Sequence, residues 1–184
     1  MDETQKAMQR LKRGDIDGLE TLVARCQTRA VRTAFLILQD EAAAQDVVQD
    51  VFIRIYQRIR HFDESQPFEP YLLKSVVHAA LNAIRGGMKS VSLEGDLAEI
   101  ESLLSDGETP EAQAESNQRS QQILAALNKL SPRQRAVIVQ RYYLEMSEKE
   151  MSESLNAAPG TVKWLLNAAR ARLREILNPE RSSQ

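Results

Sequence analysis

The chain has 184 residues and a net charge of −2, and its length allows one medium domain or two small ones. Aromatic residues make up only 5%, and the runs of β-branched and aromatic residues that form strands are missing. The single cysteine, Cys26, excludes an internal disulfide and a cysteine-based zinc cluster. No apolar run suggests a signal peptide or a membrane span, so we expect a cytoplasmic protein without metal or cofactor.

The charges are distributed unevenly along the chain. Residues 1–88 carry 12 Lys/Arg and 12 Asp/Glu, residues 89–130 carry 3 and 8, and residues 131–184 carry 9 and 6. Only the C-terminal part therefore has the sign that attracts phosphates. The excess is too small to predict DNA binding by itself.

The six prolines lie where helices begin or end, which leaves long stretches free to be helical. The pattern predicts helices over residues 15–38, 41–59 and 68–85, the last ended by a glycine pair. The apolar stripe of the first helix consists of Ile16, Leu19, Val23, Cys26, Ala30 and Ala34. That of the second consists of Val47, Val48, Val51, Phe52, Ile55, Tyr56 and Ile59. Three or four such helices form a first domain, residues 1–88.

Residues 89–115 are acidic, mostly polar and interrupted by two glycines and a proline, so we interpret them as a flexible linker. Helical periodicity resumes near Ser116 and continues through a second domain, residues 116–184. The sequence therefore predicts an all-α protein of two small domains joined by an acidic linker.

Two capping boxes mark helix starts in the second domain, at Ser131 and at Ser147. The helix that begins at Ser147 is expected to end near Asn156, and a last helix begins at Pro159. A helix of about eight residues, a short turn and a helix of about eighteen match a helix-turn-helix. The same outline fits an ordinary αα-hairpin equally well.

The two faces of the last helix favour the helix-turn-helix. Its core face holds Val162, Leu165, Leu166, Ala169, Leu173 and Ile176. The opposite face presents Lys163, Trp164 and Asn167 near the helix N-terminus, the end that enters a DNA major groove. Arg170 and Arg174 follow at positions suited to phosphates. A merely solvated basic face explains the arginines but not an outward tryptophan.

Residues 130–177 resemble region 4, the DNA-binding domain, of the extracytoplasmic-function sigma factors, above all in the motifs GTVK and ARARLREIL. Residues 42–85 resemble region 2 of the same family, above all in DVVQDVF and FEPYL. The resemblance covers nearly the whole chain. It implies a sigma factor, not an enzyme, that binds the β′ clamp helices and β flap of core RNA polymerase. Promoter DNA and an anti-sigma factor are its further implied partners.

The resemblance also assigns site residues. Polymerase binding corresponds to Asp46, Gln49, Asp50 and Phe52. Recognition of the melted −10 promoter element corresponds to His61, Phe62, Asp63, Ser65, Tyr71, Lys74, His78 and Asn82. Recognition of the −35 element corresponds to Lys163, Trp164, Asn167, Arg170 and Arg174.

Simpler interpretations exist for several of these residues. The acidic positions 46, 49 and 50 share one helix face that suits a basic partner, but they also fit a solvated edge with Phe52 in the core. Phe62 and Phe68 could close the core of the first domain, and for Phe68 this is the preferred interpretation. Tyr71 and Trp164 depart from the usual family residues, so the promoter class is not inferred.

Two other functions agree less well with the sequence. A helix-turn-helix regulator that acts without polymerase would leave the acidic DVVQDVF segment unexplained. A helical enzyme lacks support, because no nucleophile–base pair, glycine-rich phosphate loop or metal-ligand cluster occurs in the sequence.

Overall fold

The computed structural model describes residues 3–86 and 110–177, with side chains described from residue 118 onward in the second range. The chain divides into two compact units, residues 1–91 and 92–184. Every element in the described ranges is helical, so the all-α prediction is confirmed there. Within the same ranges, no helix combines the length and apolarity needed to cross a membrane.

Within residues 3–86, the first unit contains four helices: α1 (Glu3–Lys12), α2 (Asp17–Leu38), α3 (Glu41–Arg58) and α4 (Phe68–Arg85). A 3₁₀ turn, Ile59–His61, follows α3. Helix α2 is central, because it packs against each of the other three. Its buried stripe repeats about every four residues through Leu22, Cys26, Ala30 and Ala34.

Helix α1 was not predicted from the sequence. It is short and mostly polar, and only Ala7, Met8 and Leu11 are buried. It packs so closely on α2 that a Cβ at Gly18 would lie 2.3 Å from the carbonyl oxygen of Ala7. A glycine at the crossing therefore lets two backbones meet where the sequence shows no strong apolar pattern.

The predicted stripes are correct except at four residues. Ile16 is exposed because it lies in the turn before α2, and Leu19 and Val23 are only half-buried because the stripe passes through Leu22 instead. Tyr56 is exposed on α3. The remaining residues of both stripes are buried.

The second unit contains α5 (Pro110–Asn128), α6 (Pro132–Ile138), α7 (Glu148–Leu155) and α8 (Pro159–Leu177). Helix α5 begins six residues before the predicted start near Ser116. A π-helical turn, Val139–Tyr143, continues α6 where an ordinary α-helix was expected.

Both predicted capping boxes are confirmed. The Ser131 hydroxyl accepts from the backbone N–H of Gln134, whose side chain accepts from the backbone of Ser131. Ser147 and Glu150 repeat this arrangement at the start of α7. Asn156 ends α7 in the left-handed conformation, with φ at 46°. These local signals position α8 after a three-residue turn.

Candidate functional site

Helix α3 carries an exposed acidic face. Asp46, Gln49 and Asp50 are all exposed, one turn apart on the same side. Ile53 and Tyr56 extend this face by about two turns and leave 46% and 45% of their surface exposed. The face therefore combines carboxylates with apolar area, the composition of a protein-binding surface.

Phe52 does not belong to this face. It is 7% exposed and lies in the core of the first unit, as the simpler interpretation of the sequence held. The helix period turns position 52 inward while positions 46, 49 and 50 turn outward. Phe52 therefore supports the acidic face from beneath.

A pocket of about 290 Å³ opens where α3 ends and α4 begins. This volume is near the lower end of the range of small-molecule sites, roughly 300–1,000 Å³, so it suits a group the size of one nucleobase. The lining residues are Ile55, Arg58, His61, Phe62, Asp63, Gln66 and Tyr71. Aromatic and apolar walls with polar groups at the rim are what a flipped base requires.

Phe62 forms part of an aromatic cluster beside the pocket. Its ring lies edge to face with Tyr71 at 4.9 Å between centroids and with Phe68 at 6.0 Å. Phe68 is buried and belongs to the core, as expected. Phe62 and Tyr71 are half-buried, so each keeps part of its surface available.

The loop that forms the pocket rim is held partly by its own polar groups. One carboxylate oxygen of Asp63 accepts from the backbone N–H of Ser65 at 2.9 Å and from its hydroxyl at 2.8 Å. These hydrogen bonds lower the pKa of Asp63, so the rim keeps a negative charge. Ser65 thus acts on the pocket through Asp63.

The residues predicted for the −10 element separate into two groups. His61, Phe62, Asp63 and Tyr71 line the pocket, and Ser65 lies in the adjoining loop. Lys74, His78 and Asn82 are not among the lining residues and follow one another along a face of α4. Burial, and then the charge of Lys74, lowers the pKa of His78, so its imidazole is neutral near pH 7.

Three lining residues were not predicted as site residues: Ile55, which was expected in the core, and Arg58 and Gln66, which sequence reasoning missed. Arg58 is the last residue of α3, and Gln66 lies in the loop before α4. No helical period relates Arg58 to Gln66, because the chain makes two turns between them. Only the closing of the loop brings them to one pocket.

Helix α8 presents the predicted reading face. Lys163, Trp164, Asn167 and Arg174 are exposed, and Trp164 leaves 67% of its surface exposed. On the opposite face Val162, Leu165, Leu166 and Ala169 are buried, while Leu173 and Ile176 are half-buried. The division of the helix into two faces is therefore as predicted.

Arg170 is not a free side chain on this surface. Its Nε donates to the hydroxyl of Tyr142 at 2.9 Å, and its guanidinium lies 5.7 Å from the centre of that ring. Tyr142 is exposed and was missed by sequence reasoning. The π-helical turn sets the direction of the Tyr142 side chain, and no pattern in the sequence predicted that turn.

The π-helical turn is joined to α7 by a buried hydrogen bond. Gln140 is buried, and its Nε2 donates to the Ser154 hydroxyl at 2.7 Å. Arg141 donates to the carbonyl oxygen of Met146 at 2.9 Å and so braces the same connection. The helix-turn-helix and the turn before it therefore form one packed piece.

The positive surface of the second unit is smaller than its sequence suggests. Arg135 is 5% exposed, and burial lowers its pKa. It therefore cannot reach a phosphate from its position in α6. Among the side chains described, no group of His, Cys, Asp or Glu is placed to hold a metal ion.

Known families and proteins match both units. The family model described as Sigma-70 region 2 matches residues 22–89, and that described as Sigma-70, region 4 matches residues 120–173. The chain is 30% identical over 178 residues to the extracytoplasmic-function RNA polymerase sigma factor SigW of Bacillus subtilis, covering 94% of this chain and 95% of that one. It is 28% identical over 165 residues to the RNA polymerase sigma-E factor of Streptomyces coelicolor, covering 89% and 88%.

Two solved structures share the fold. CnrH, solved in complex with the cytosolic domain of CnrY, superposes with a TM-score of 0.66 at 22% identity and covers 97% of this chain and 99% of its own. The sigma factor RpoE of Bartonella quintana, solved with the anti-sigma factor NepR, superposes with a TM-score of 0.63 at 18% identity and covers 86% and 95%.

Proposed function

This chain belongs to the extracytoplasmic-function sigma factors of RNA polymerase, and we propose from its surfaces how the two units divide promoter recognition. As a member of that family it is a transcription initiation factor that binds core polymerase and directs it to particular promoters. The residue-level assignments that follow are our proposal.

The acidic face of α3 binds the β′ clamp helices. Asp46, Gln49 and Asp50 are exposed and share a side, so all three can engage one basic partner surface at once. The neighbouring Ile53 and Tyr56 add apolar area that a docked partner would cover. The β flap is the second contact on polymerase, through the second unit.

The pocket between α3 and α4 holds a base of the melted −10 element. This pocket is the observation that carries the proposal, because a purely duplex-binding regulator has no use for it. Phe62 and Tyr71 offer ring faces or edges for stacking, while His61, Asp63 and Gln66 can bond the base edge. Lys74, His78 and Asn82 extend along α4 and contact the adjoining strand.

Helix α8 reads the −35 element in the major groove. Lys163 and Arg174 neutralise phosphates, and Arg170 does so together with Tyr142. Asn167 bonds an adenine edge, with Trp164 beside it against a thymine methyl or sugar. No catalytic residue is assigned.

The family also suggests how the chain is regulated and where in the cell it acts. The Bartonella relative was solved with an anti-sigma factor, and we propose that one also binds this chain. An inhibitor that covers the acidic face of α3 would compete directly with polymerase. Because its partners act in the cytoplasm, the chain acts there too.

The domain organisation remains as proposed from the sequence, with residues 1–88 and 116–184 as domains and 89–115 as linker. Residues 89–109 lie outside the described ranges, and α5 already occupies the end of the proposed linker. Because the linker is acidic, polar and poor in apolar residues, limited proteolysis should cut first within it, before α5, and release two helical fragments. Resistance of that segment in the free protein would contradict the proposal.

Run-off transcription with purified core polymerase on a promoter library tests the proposed function as a whole. Transcription should start at a defined subset of promoters only when the chain is added. A chain that binds the same duplexes without supporting initiation would instead be a polymerase-independent regulator.

A further inference from the structure

Helix α1 contacts the loop that forms the pocket rim. Lys12 Nζ donates to the carbonyl oxygen of Phe62 at 3.0 Å and pairs with Glu64 Oε1 at 2.7 Å. Gln5 Nε2 donates to the carbonyl oxygen of Glu64 at 2.8 Å, and Gln9 Nε2 donates to its carboxylate at 3.4 Å. Three successive turns of α1 therefore bind two loop residues that lie 50 to 59 positions away in the sequence.

Besides the two hydrogen bonds from Ser65 to Asp63, the loop has few bonds of its own that would hold its shape. Its backbone makes a turn bond from Gln66 N to the Asp63 oxygen at 3.1 Å, and Phe62 N bonds Ile59 oxygen at 3.1 Å. A connection of this kind moves easily unless other elements restrain it. The carbonyl groups that α1 engages belong to Phe62 and Glu64, the residues on either side of Asp63.

Helix α1 is anchored firmly enough to act as a restraint. Ala7, Met8 and Leu11 are buried against the first unit, and the close crossing at Gly18 leaves no room for movement toward α2. Glu3 also pairs with Arg25 of α2 at the far end of the helix. This second pair holds α1 without touching the loop.

The electrostatics of the contact between α1 and the loop are consistent with its hydrogen bonds. The hydrogen bond and charge of Lys12 lower the pKa of Glu64, and Gln9 adds to the effect. The Lys12 side chain is only 21% exposed, so its stem packs along the first unit and its ammonium group is held at the loop.

We propose that α1 is a positioning element for base capture. Lys12 and Gln5 hold the loop, and Glu64 is the loop residue that both of them bind. These residues fix where Phe62 and Asp63 stand at the pocket and so set how well a −10 base is bound. The inference rests on the proposed role of the pocket. It adds three positioning residues that lie outside the pocket lining.

The test compares three full-length variants in reconstituted holoenzyme. Lys12→Met removes the ammonium group but keeps the apolar stem, and Lys12→Arg restores a charged donor. Glu3→Gln is the matched control, because it removes the ion pair between α1 and Arg25 of α2 and leaves the loop contacts intact. The probe is a fork-junction DNA from a promoter found by run-off transcription, with the non-template −10 strand single-stranded.

Two measurements separate positioning from general stability. The first is the ratio of affinities for the intact strand and for strands with an abasic site at each −10 position. The second is the fluorescence of 2-aminopurine at the position where base loss costs most, since the signal rises when the base leaves the stack. Binding to core polymerase and to −35 duplex should be equal in all variants.

Lys12→Met should reduce the affinity ratio about tenfold and lower the fluorescence rise, whereas Lys12→Arg should stay within about twofold of the wild type. Glu3→Gln should match the wild type. The inference is overturned if Lys12→Met keeps the wild-type ratio and signal, or if Glu3→Gln reduces them equally. If the wild type itself shows no position where base loss matters, base capture is wrong and the inference falls with it.

Discussion

The candidate sites of the two units are built from different kinds of element. In the second unit the candidate reading groups lie on one helix, α8, whose face is set by its own periodicity. In the first unit the pocket is assembled from the end of α3, a loop and the start of α4, and α1 holds the loop. The first site therefore depends on contacts between distant parts of the chain, and the second depends mainly on local structure.

This difference predicts how each site responds to change. The effects of substitutions on α8 should be independent of one another and add, because each side chain projects from a rigid helix. Substitutions around the pocket should act through one another, because the residues share contacts and their effects do not add. The acidic face of α3 behaves like α8 in this respect, since it also projects from a single helix.

The largest effect is expected for polymerase docking. Reversing both Asp46 and Asp50 to Lys should abolish association with core polymerase, because losing one partner of a docked charge pair costs about 2–5 kcal/mol when buried. The reversals are also made singly, and Glu20→Lys, which reverses one charge at an exposed position of α2, is the control for each. Co-purification of the double variant with core at the wild-type level would show that α3 is not the docking face.

The next effect concerns the pocket. Tyr71→Ala should weaken binding of a fork-junction DNA with an exposed −10 strand by roughly tenfold, since stacking on an aromatic ring contributes about 1–3 kcal/mol per base. Tyr71→Phe should retain most of this affinity. Binding to a duplex that carries only the −35 element should be the same in both variants, and a loss there would point to misfolding instead.

A sequence-selection experiment on α8 separates reading from phosphate contact. Asn167→Ala should relax the preference at one −35 base position, by about 1–3 kcal/mol, and leave the others unchanged. Lys163→Ala and Arg174→Ala should weaken all sequences alike, each reducing the salt slope by about one. The assignment of the reading face is wrong if Asn167→Ala keeps the full preference while Arg170→Ala changes which bases are selected.

Tyr142 provides a finer test of the same surface. Tyr142→Phe keeps the ring beneath Arg170 and removes the hydroxyl that accepts from its Nε. We expect a loss of about 0.5–1.5 kcal/mol in binding to all −35 duplexes, the contribution of one hydrogen bond. The salt slope should change little, since no charge is removed. Added to Arg170→Ala, the same substitution should have no further effect.

The smallest effect compares the two capping boxes. Ser131→Ala and Ser147→Ala should each reduce the free energy of unfolding by about 1 kcal/mol near neutral pH. Hydrogen bonds from the Ser147 side chain, and then from its backbone, lower the pKa of Glu150 below its ordinary 4.5. The part of this stabilisation that the Glu150 carboxylate contributes is therefore present above pH 4.5 and is lost as the pH falls through the lower pKa of the folded state.

The box of Ser131 and Gln134 contains no titrating group, so the effect of Ser131→Ala should not change with pH over the same range. Denaturant unfolding of both variants above and below the ordinary pKa of glutamate measures the difference. An equal effect of acid on the two variants would mean that the Glu150 carboxylate does not contribute as proposed.

Much of the candidate site could be predicted from the sequence because helices carry their own signals. The spacing of Lys163, Trp164 and Asn167 placed them on the exposed side of α8, and Ser131 and Ser147 marked the helix starts that position it. The spacing of Asp46, Gln49 and Asp50 likewise placed them together on α3. A period of 3.6 residues relates positions only a few residues apart, so these predictions needed no tertiary contact.

The tertiary structure alone decided which side chains surround the pocket and what holds it. Arg58 and Gln66 reach one pocket because the loop folds back, and α1 binds that loop across 50 or more residues. Tyr142 meets Arg170 because a π-helical turn aims it there. The sequence by itself determined the helices and their faces, because those depend on neighbours in the chain. The conformation of the loop and the contacts of its residues depend on packing between elements that are distant in the sequence. A local sequence pattern contains no information about that packing.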